Sequence, residues 1–188
     1  KYVTTDARWL VARPAAQTPE QAAAWPVVFL SAWIALRVIA DIRPGERVLI
    51  HSAAGGVGMA AIQLAQRFGA EVYATASPSK WRAVQALGVK HIASSRTLDF
   101  VSEFRAAGGV DVVLNTLAGE FVDASLSLLR PGGRFIGLGK TDIRDPQAVE
   151  RSFPGTRYRA FDLAQIALSD PSAIQAMLCE LQRSLTSN

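Results

Sequence analysis

Glycine is concentrated in one short stretch, where Gly55, Gly56 and Gly58 follow a β-rich run and precede a helical pattern. The pyrophosphate of a dinucleotide needs a strand that ends, a tight turn open to close approach, and a helix N-terminus. On the pattern G-x-G-x-x-G, Gly55 is the close-approach glycine and Gly58 the helix-packing glycine, whereas Ala53 occupies the first position. An alanine fits there if its φ is negative. The residues predicted to hold a pyrophosphate are Ala53, Gly55, Gly56, Val57 and Gly58; the alternative is a purely structural turn.

The end of the next β-rich run indicates which dinucleotide would bind. An NAD site usually places an acidic residue there for the ribose hydroxyls, but this chain has Ser77, Ser79 and Lys80 and no acid. Hydroxyls and a lysine suit a 2′-phosphate, so the pattern favours NADPH. Arg96, after the third run, could reach the same phosphate or the adenine. For both Lys80 and Arg96 the alternative is an ordinary solvated surface cation.

Alternating β-rich and helical segments must position these residues. The predicted strands are RVLIHS (47–52), EVYATAS (71–77), HIAS (91–94), DVVLNTL (111–117) and RFIGLGK (134–140). The helices predicted between them cover residues 55–69, 79–87, 98–109 and 118–130, with Ser79 as a cap, glycines as stops, and Pro131-Gly132-Gly133 ending the last helix. Strands that alternate with helices of this length predict right-handed crossovers. The expected fold class is α/β, a doubly wound, Rossmann-like parallel sheet over residues 47–165 with flanking helices.

The flanking segments lack this alternation. Residues 1–46 contain a helix start at Thr18-Pro19-Glu20 and the apolar segment WPVVFLSAWIALRVIADI (25–42), which predicts helices beside the sheet. Residues 166–188 contain a helix after Pro171, with Ile174, Met177, Leu178 and Leu181 on one face. The expected division is therefore 1–46, 47–165 and 166–188.

Composition narrows the function classes. The chain has 188 residues, 49% of them hydrophobic, and a net charge of +4. Its lysines and arginines are scattered among acidic residues and form no nucleic-acid-binding motif. A single cysteine, Cys179, excludes an internal disulfide, and the two histidines form no ligand cluster with it, so no metal is expected. No uninterrupted apolar run of about eighteen residues and no signal peptide is seen. The expected location is the cytosol, without membrane attachment.

Five stretches together resemble a known family. They are VLIHSAAGGVGMAAIQLAQRFGAEVYATASPSKW (48–81), HIASSRTLDF (91–100), VDVVLNTLAGEFVDASL (110–126), GGRFIGLGKTDIRD (132–145) and YRAFDL (158–163). The sequence resembles the enoylreductase domain of type I modular polyketide synthases, in the medium-chain reductase superfamily. It is more distantly similar to the animal fatty-acid synthase enoylreductase and to zinc-free quinone oxidoreductases.

The resemblance implies a reaction and two candidate catalytic residues. The implied activity is NADPH-dependent reduction of an enoyl thioester on an acyl carrier protein, with hydride added to the β carbon and a proton to the α carbon. The family's pocket lysine and aspartate correspond to Lys140 and Asp162. A lysine beside a carboxylate can act as a general acid or as a hydrogen-bond donor to the enolate oxygen. A structural ion pair is the alternative.

The resemblance also implies a nicotinamide end of the site. Asn115 and Leu117 match the LNSLAGE stretch of the family, with Thr116 in place of serine, and Leu138 and Gly139 follow on the fifth strand. Ser31 matches a small hydroxyl residue beside the nicotinamide, although it could be an ordinary helix residue.

A complete family member also has a GroES-like substrate domain, and the resemblance implies that most of it is absent here. Residues 1–46 then lie at the junction with that domain and 166–188 lead back to it. The implied partners are an acyl carrier protein and neighbouring polyketide synthase domains. The alternatives are a non-catalytic NADPH-binding scaffold module and a free-standing quinone or alkenal reductase.

Overall fold

A six-stranded parallel sheet is the centre of the structure, a computed structural model that describes residues 2–13, 15, 17–139 and 141–186, the last without its side chain. Its strands are β1 (Arg47–Ile50), β2 (Glu71–Ala76), β3 (His91–Ser94), β4 (Val110–Asn115), β5 (Leu129–Gly137) and β6 (Arg157–Ala160). The spatial order is β3-β2-β1-β4-β5-β6, and it reverses between β1 and β4. This doubly wound order opens a crevice at the carboxyl ends of the strands. The predicted fold class is confirmed.

Nine α-helices lie within the described residues. They are α1 (Pro19–Ala24), α2 (Pro26–Trp33), α3 (Gly56–Arg67), α4 (Trp81–Gln85), α5 (Asp99–Ala106), α6 (Glu120–Leu126), α7 (Pro146–Ser152), α8 (Leu163–Ser169) and α9 (Pro171–Thr186). The helix α3 ends before Gly69, whose φ of +77° suits glycine, as the sequence predicts. The prediction of Ser79 as a helix cap is wrong, because Ser79 lies inside a 3₁₀ turn, Pro78–Lys80, that precedes α4.

Two strands differ from the sequence prediction. The edge strand β6 is an addition, because Arg157 and Arg159 alternate with Tyr158 and Ala160 and weaken the hydrophobic signal. The strand β5 begins at Leu129, so the Pro-Gly-Gly predicted to stop a helix lies inside a strand instead. Helix α6 has already ended at Leu126.

Both faces of the sheet are covered. Val48, Leu49 and Ile50 are consecutive in β1 and all fully buried, although neighbouring strand residues point to opposite faces. One face packs on α5 and α6 through a cluster that includes Leu49, Tyr73, Phe100, Phe104, Val113, Val122, Leu126 and Phe135. Such a sheet fixes its carboxyl edge firmly, since every central strand is held on two sides.

The chain divides into two units, Ala32–Phe161 with the sheet, and Lys1–Ser31 together with Asp162–Asn188. In the second of these, Thr18 and Gln21 form a capping box at the start of α1, as the Thr18-Pro19-Glu20 motif predicts. Helix α9 buries Ile174, Leu178 and Leu181. Within this unit the Trp9 indole N–H donates to the Ala167 carbonyl at 3.2 Å. A capped and packed helical unit results.

One segment, Pro19–Ile39, has the length and composition of a membrane span, with 21 residues and a mean hydropathy of 1.8. It is interrupted by Glu20 and Arg37, and its C-terminal part, a π-helical segment Ile34–Ile39, contributes Ile34 and Leu36 to the buried core. A core helix of a globular domain meets the same test, so this segment is weak evidence for a membrane span.

A buried histidine joins the end of β1 to its neighbours. His51 is 1% exposed, and its Nδ1 and Nε2 lie 2.7 Å and 2.8 Å from the hydroxyls of Thr75 and Ser125. The Ser125 hydroxyl donates to the Phe121 carbonyl, so Ser125 accepts from Nε2–H and Thr75 donates to Nδ1. Burial lowers the pKa of His51 to about 3. The imidazole is therefore neutral and fully hydrogen-bonded.

The His51 network should make folding stability depend on pH. An unfolded histidine titrates near 6.5, so between pH 6.5 and about 3 the unfolded chain binds a proton that native His51 does not. Stability is fully present above pH 6.5 and falls as pH drops, by up to about 1.4 kcal/mol per pH unit from this group. We expect His51→Gln to lower the unfolding free energy at pH 7.5 by about 1–3 kcal/mol. Its deficit against the native chain should shrink towards pH 4.5.

The measurement is urea denaturation at several pH values, with His91→Gln as the control, because His91 is partly exposed beside Glu71. The control should keep the unfolding free energy of the native chain at pH 7.5 within about 0.5 kcal/mol. A deficit for His51→Gln that stays constant with pH would contradict the assignment.

Candidate functional site

The candidate site lies where β1 gives way to α3. A tight turn over residues 51–55 connects them, and Gly55 is the N-cap of α3 with extended backbone, φ −84° and ψ 167°. Among the described residues no side chain caps this helix. Its first N–H groups are therefore available to an external acceptor, and the helix dipole favours an anion there.

The turn has almost no room for side chains. A Cβ on Gly58 would lie 2.5 Å from the carbonyl oxygen of Ser52 and 2.7 Å from the Ala53 Cα, which is closer than real contacts. At Gly55 a Cβ would lie 3.2 Å from the same oxygen. An alanine at the first position of the glycine pattern requires a negative φ, and Ala53 meets this requirement because its φ is not positive. The residue with positive φ is Ser52, at +51°, which the sequence did not indicate.

A groove of about 240 Å³ opens beside the turn. We call it the turn groove, and its lining is Ser52, Ala54, Gly55, Ala76, Ser77, Lys80, Ser95, Arg96 and Leu117. The fold thus brings together Gly55, Ser77, Lys80, Arg96 and Leu117, which the sequence analysis selected separately. Lys80 and Arg96 are exposed, and neither forms an ion pair with a carboxylate among the described residues. The groove combines two exposed cations with an uncapped helix N-terminus, an arrangement that suits an anionic ligand.

A second, narrower groove of about 20 Å³ lies over the ends of β4, β5 and β6. We call it the strand-end groove. It is lined by Asn115, Thr116, Leu117, Gly137, Leu138, Gly139, Thr141, Asp142, Ile143, Tyr158 and Ala160. Asn115, Leu117, Leu138 and Gly139 therefore come together, as expected from their places at strand ends. Leu117 lines both grooves and joins them at the switch between β1 and β4.

Side-chain hydrogen bonds shape the switch between the two grooves. The Asn115 amide donates to the Leu117 carbonyl at 2.8 Å and accepts from the Leu117 N–H at 3.2 Å. The Thr116 hydroxyl donates to the Ser52 hydroxyl at 2.8 Å and links the β4 loop to the glycine turn. Asn115 thus holds the loop that carries Leu117, a local role that its position alone did not reveal.

No sequence pattern indicates the carboxylate and the phenol that lie in the strand-end groove. Asp142 has a positive φ of +55°. The hydrogen bond from the Arg144 side chain and, to a smaller extent, the one from the Gly119 N–H lower the pKa of the Asp142 carboxyl below its usual range. Tyr158 lies on the unpredicted strand β6 and receives a hydrogen bond from the Arg144 N–H at 3.0 Å. Asp142 and Arg144 do occur in the stretch GKTDIRD, but no pattern in it indicates their partners.

Three residues predicted for the site from the sequence do not line either groove as described: Ser31 and Asp162 are not among the lining residues, and Lys140 lies outside the described residues. Ser31 is buried in α2 and donates to the Val27 carbonyl at 2.8 Å. Asp162 is the N-cap of α8, where its carboxylate accepts from the Ala164 N–H at 2.9 Å. Both belong to the unit Lys1–Ser31 with Asp162–Asn188.

Comparison with protein families gives a match over most of the chain. The family described as zinc-binding dehydrogenase matches residues 56–182. Among curated proteins, the chain is similar to the pikromycin polyketide synthase component PikAII of Streptomyces venezuelae, with 58% identity over 184 residues and 95% of this chain. That alignment covers 5% of PikAII. The chain spans 3–10% of the length of such curated relatives.

Solved structures give the same grouping. The CurK enoyl reductase superposes with a TM-score of 0.93 at 48% identity, covering 97% of this chain and 56% of CurK. The nucleotide-binding subdomain of the enoylreductase domain of PpsC from Mycobacterium tuberculosis gives 0.79 at 38%, covering 86% and 93%. The quinone oxidoreductase from Thermus thermophilus, solved also in complex with NADPH, gives 0.74 at 35%, covering 92% and 54%.

A prediction on cofactor binding follows from the geometry of the glycine turn. Gly55→Val places a branched side chain where a pyrophosphate would approach, so dinucleotide binding should weaken by about 100-fold or more, ~2.7 kcal/mol. The chain should remain folded, because the space at Gly55 is less restricted than at Gly58. Gly58→Ala serves as the contrast and should destabilise the fold itself by about 1–3 kcal/mol. Thermal melting and fluorescence titration separate the two effects. A Gly55→Val chain that melts early yet binds normally when cold would show that this glycine is structural.

Proposed function

The chain belongs to the zinc-binding dehydrogenase family and, within it, to the enoyl reductase domains of polyketide synthases, and from this premise we propose that it binds NADPH to reduce an enoyl thioester. The family implies a nicotinamide cofactor, and the chain is its nucleotide-binding portion. One observation carries the proposal: the turn groove joins an uncapped helix N-terminus to two exposed cations. That arrangement suits a dinucleotide with an extra phosphate.

The choice of NADPH over NADH follows from charge at the end of β2. A carboxylate there would bind the ribose hydroxyls of NADH and repel a 2′-phosphate. The chain has Ser77 and Lys80 instead, and Arg96 approaches from the loop after β3. A phosphate between these groups gains charge-assisted hydrogen bonds. The quinone oxidoreductase with a known NADPH complex supports this choice by similarity.

The two grooves would hold different parts of the cofactor. If the N-terminus of α3 held a pyrophosphate, the residues at the end of β2 would hold the adenosine half and those at the ends of β4 and β5 the nicotinamide half. Leu117, Leu138 and Gly139 would then line the nicotinamide end, and the fixed backbone there would orient the ring. Bound NADPH supplies the hydride for the β carbon of the enoyl chain. The role of these residues is to orient the cofactor and to exclude water, which favours hydride transfer.

The proton for the α carbon remains to be assigned to a donor. We propose Lys140 as the donor, or as the hydrogen-bond partner of the enolate oxygen, and Asp162 as the carboxylate that orients it. The proposed partners are an acyl carrier protein and neighbouring synthase domains, in the cytosol.

An assay of the full-length protein tests this function directly. NADPH absorbance is followed with an enoyl thioester and, separately, with a quinone. Consumption with the thioester supports the proposal, whereas consumption with the quinone alone would favour a quinone reductase. Binding of NADPH without turnover of either would indicate a scaffold module.

Lys80 gives a prediction on cofactor choice. Loss of one charged contact to a phosphate costs about 1.5–3 kcal/mol, so Lys80→Ala should weaken NADPH binding by roughly 10- to 150-fold and leave NADH binding nearly unchanged. Lys90→Ala is the control, because Lys90 lines a pocket at the opposite edge of the sheet with Glu71 and His91. Titration of each variant with both cofactors is the measurement. An equal loss for NADPH and NADH would remove Lys80 from the 2′-phosphate site.

A further prediction concerns the 188-residue chain by itself. It should fold and bind NADPH weakly, since both grooves lie within Ala32–Phe161. It should show little enoyl reduction, because orientation of two reactants in a closed site can be worth about 7–11 kcal/mol. CurK, of which the chain covers 56%, has a further part that could supply the opposing wall. The comparison is with a longer polypeptide that includes the corresponding flanking segments. Turnover within about tenfold, or 1.4 kcal/mol, would contradict the prediction.

A further inference from the structure

Two loops at the carboxyl edge of the sheet are tied together by Asp142 and Arg144. Asp142 lies in the loop after β5, and its carboxylate accepts a hydrogen bond at 2.6 Å from the N–H of Gly119, which lies in the loop after β4. Arg144 donates to both oxygens of Asp142, at 2.6 Å and 3.2 Å. We call these contacts, with the Arg144–Tyr158 hydrogen bond, the loop clasp.

The loop clasp is anchored in the core. The backbone N–H of Arg144 donates to the Tyr158 hydroxyl at 3.0 Å. The Tyr158 ring stacks on Phe135 with centroids 5.4 Å apart, and Phe135 is buried in β5. A continuous series of contacts therefore runs from the sheet through Tyr158, Arg144 and Asp142 to Gly119. Such a series restrains the two loops that border the strand-end groove.

The geometry of the clasp is specific. The Asp142 and Arg144 side chains are 24% and 33% exposed, and their contact is bidentate, unlike a typical surface ion pair. The left-handed backbone of Asp142 directs the carboxylate towards Gly119, and aspartate tolerates that conformation better than most residues. Asp123, 3.6 Å from Arg144, adds a weaker and more exposed charge.

We propose that Asp142 and Arg144 are positioning residues for hydride transfer, acting through the loops that carry Leu117 and Gly139. The inference rests on the proposed function, which assigns the nicotinamide to the strand-end groove. Neither side chain is required to touch the reacting atoms. By holding the loop after β5 against the loop after β4, they fix the width of the groove and the orientation of a ring within it.

This role separates turnover from cofactor affinity. The proposed function assigns the phosphates to the turn groove, on the other side of Leu117, so affinity for NADPH should not depend on the clasp. Orientation at the reacting centre does, and a displacement of about 1 Å can cost roughly 100-fold in rate. Loss of the clasp should therefore lower kcat and leave the KM for NADPH unchanged.

Four variants test the role in the full-length protein. D142G keeps a backbone that tolerates positive φ but removes the carboxylate, and R144Q removes the bidentate cation; each should lower kcat by about 10- to 100-fold. D142N keeps an acceptor for Gly119 and should lose less. R144K should restore part of the rate lost in R144Q. With NADPH deuterated at the transferred position, the isotope effect on kcat should increase in D142G and R144Q, because hydride transfer becomes more rate-limiting.

D41N is the matched control. Asp41 also has a positive φ, +47°, and pairs with Arg37 at 3.5 Å, but it precedes β1 at the opposite edge of the sheet. Its kcat should stay within about twofold of the native value, which sets the background for a charged residue with this backbone.

The outcomes distinguish the inference from the function beneath it. A native protein that consumes no NADPH with an enoyl thioester refutes the proposed function and this role with it. Normal native turnover with D142G and R144Q within twofold refutes the positioning role alone. A parallel loss of kcat, NADPH affinity and melting temperature, in D142N as in D142G, would show that the clasp only stabilises the fold and would also refute it.

Discussion

Close contact between the start of α3 and the turn after β1 governs the candidate site. The space at Gly58 is less than a methyl group requires, because the Ser52 carbonyl and the Ala53 backbone lie against it. The helix therefore begins directly at the carboxyl edge of the sheet, with its N–H groups facing the crevice between β1 and β4. An anion held there is near both sides of the switch point, and the positions of the two grooves follow from this arrangement.

The surroundings of the turn are differentiated by charge. Towards β2, Lys80 and Arg96 leave positive charge exposed to solvent, as suits a ligand that brings its own phosphate. Towards β5, the charges of Asp142 and Arg144 neutralise one another and restrain loops. Beneath the turn, neutral His51 satisfies hydroxyls of β2 and α6 without placing a charge in the core. One edge of the sheet thus combines a charged binding region, a restrained region whose charges are paired, and a neutral support.

Local patterns in the sequence predicted most of the architecture. Five strands, the helices between them and the stop at Gly69 follow from apolar periodicity and glycine placement, which act over a few residues. The strand β6 was missed because it has only four residues, two of them arginines, and so short an alternation does not stand out from a loop. Ser79 was misassigned as a cap because hydroxyl residues favour several local turns, and only the packing of α4 selects among them.

The sequence by itself determined the fold class, the glycine turn and the residue types around it, since each depends on local backbone preference or on charge. The tertiary structure alone decided which distant residues share a groove: Gly55 with Lys80 and Arg96, and Leu117 with Gly139. It also decided that Ser52 carries the left-handed backbone and that Asp142 reaches Gly119. The physical reason is that side-chain partners are selected by strand order and loop closure, and residues far apart in sequence meet only after the sheet has formed.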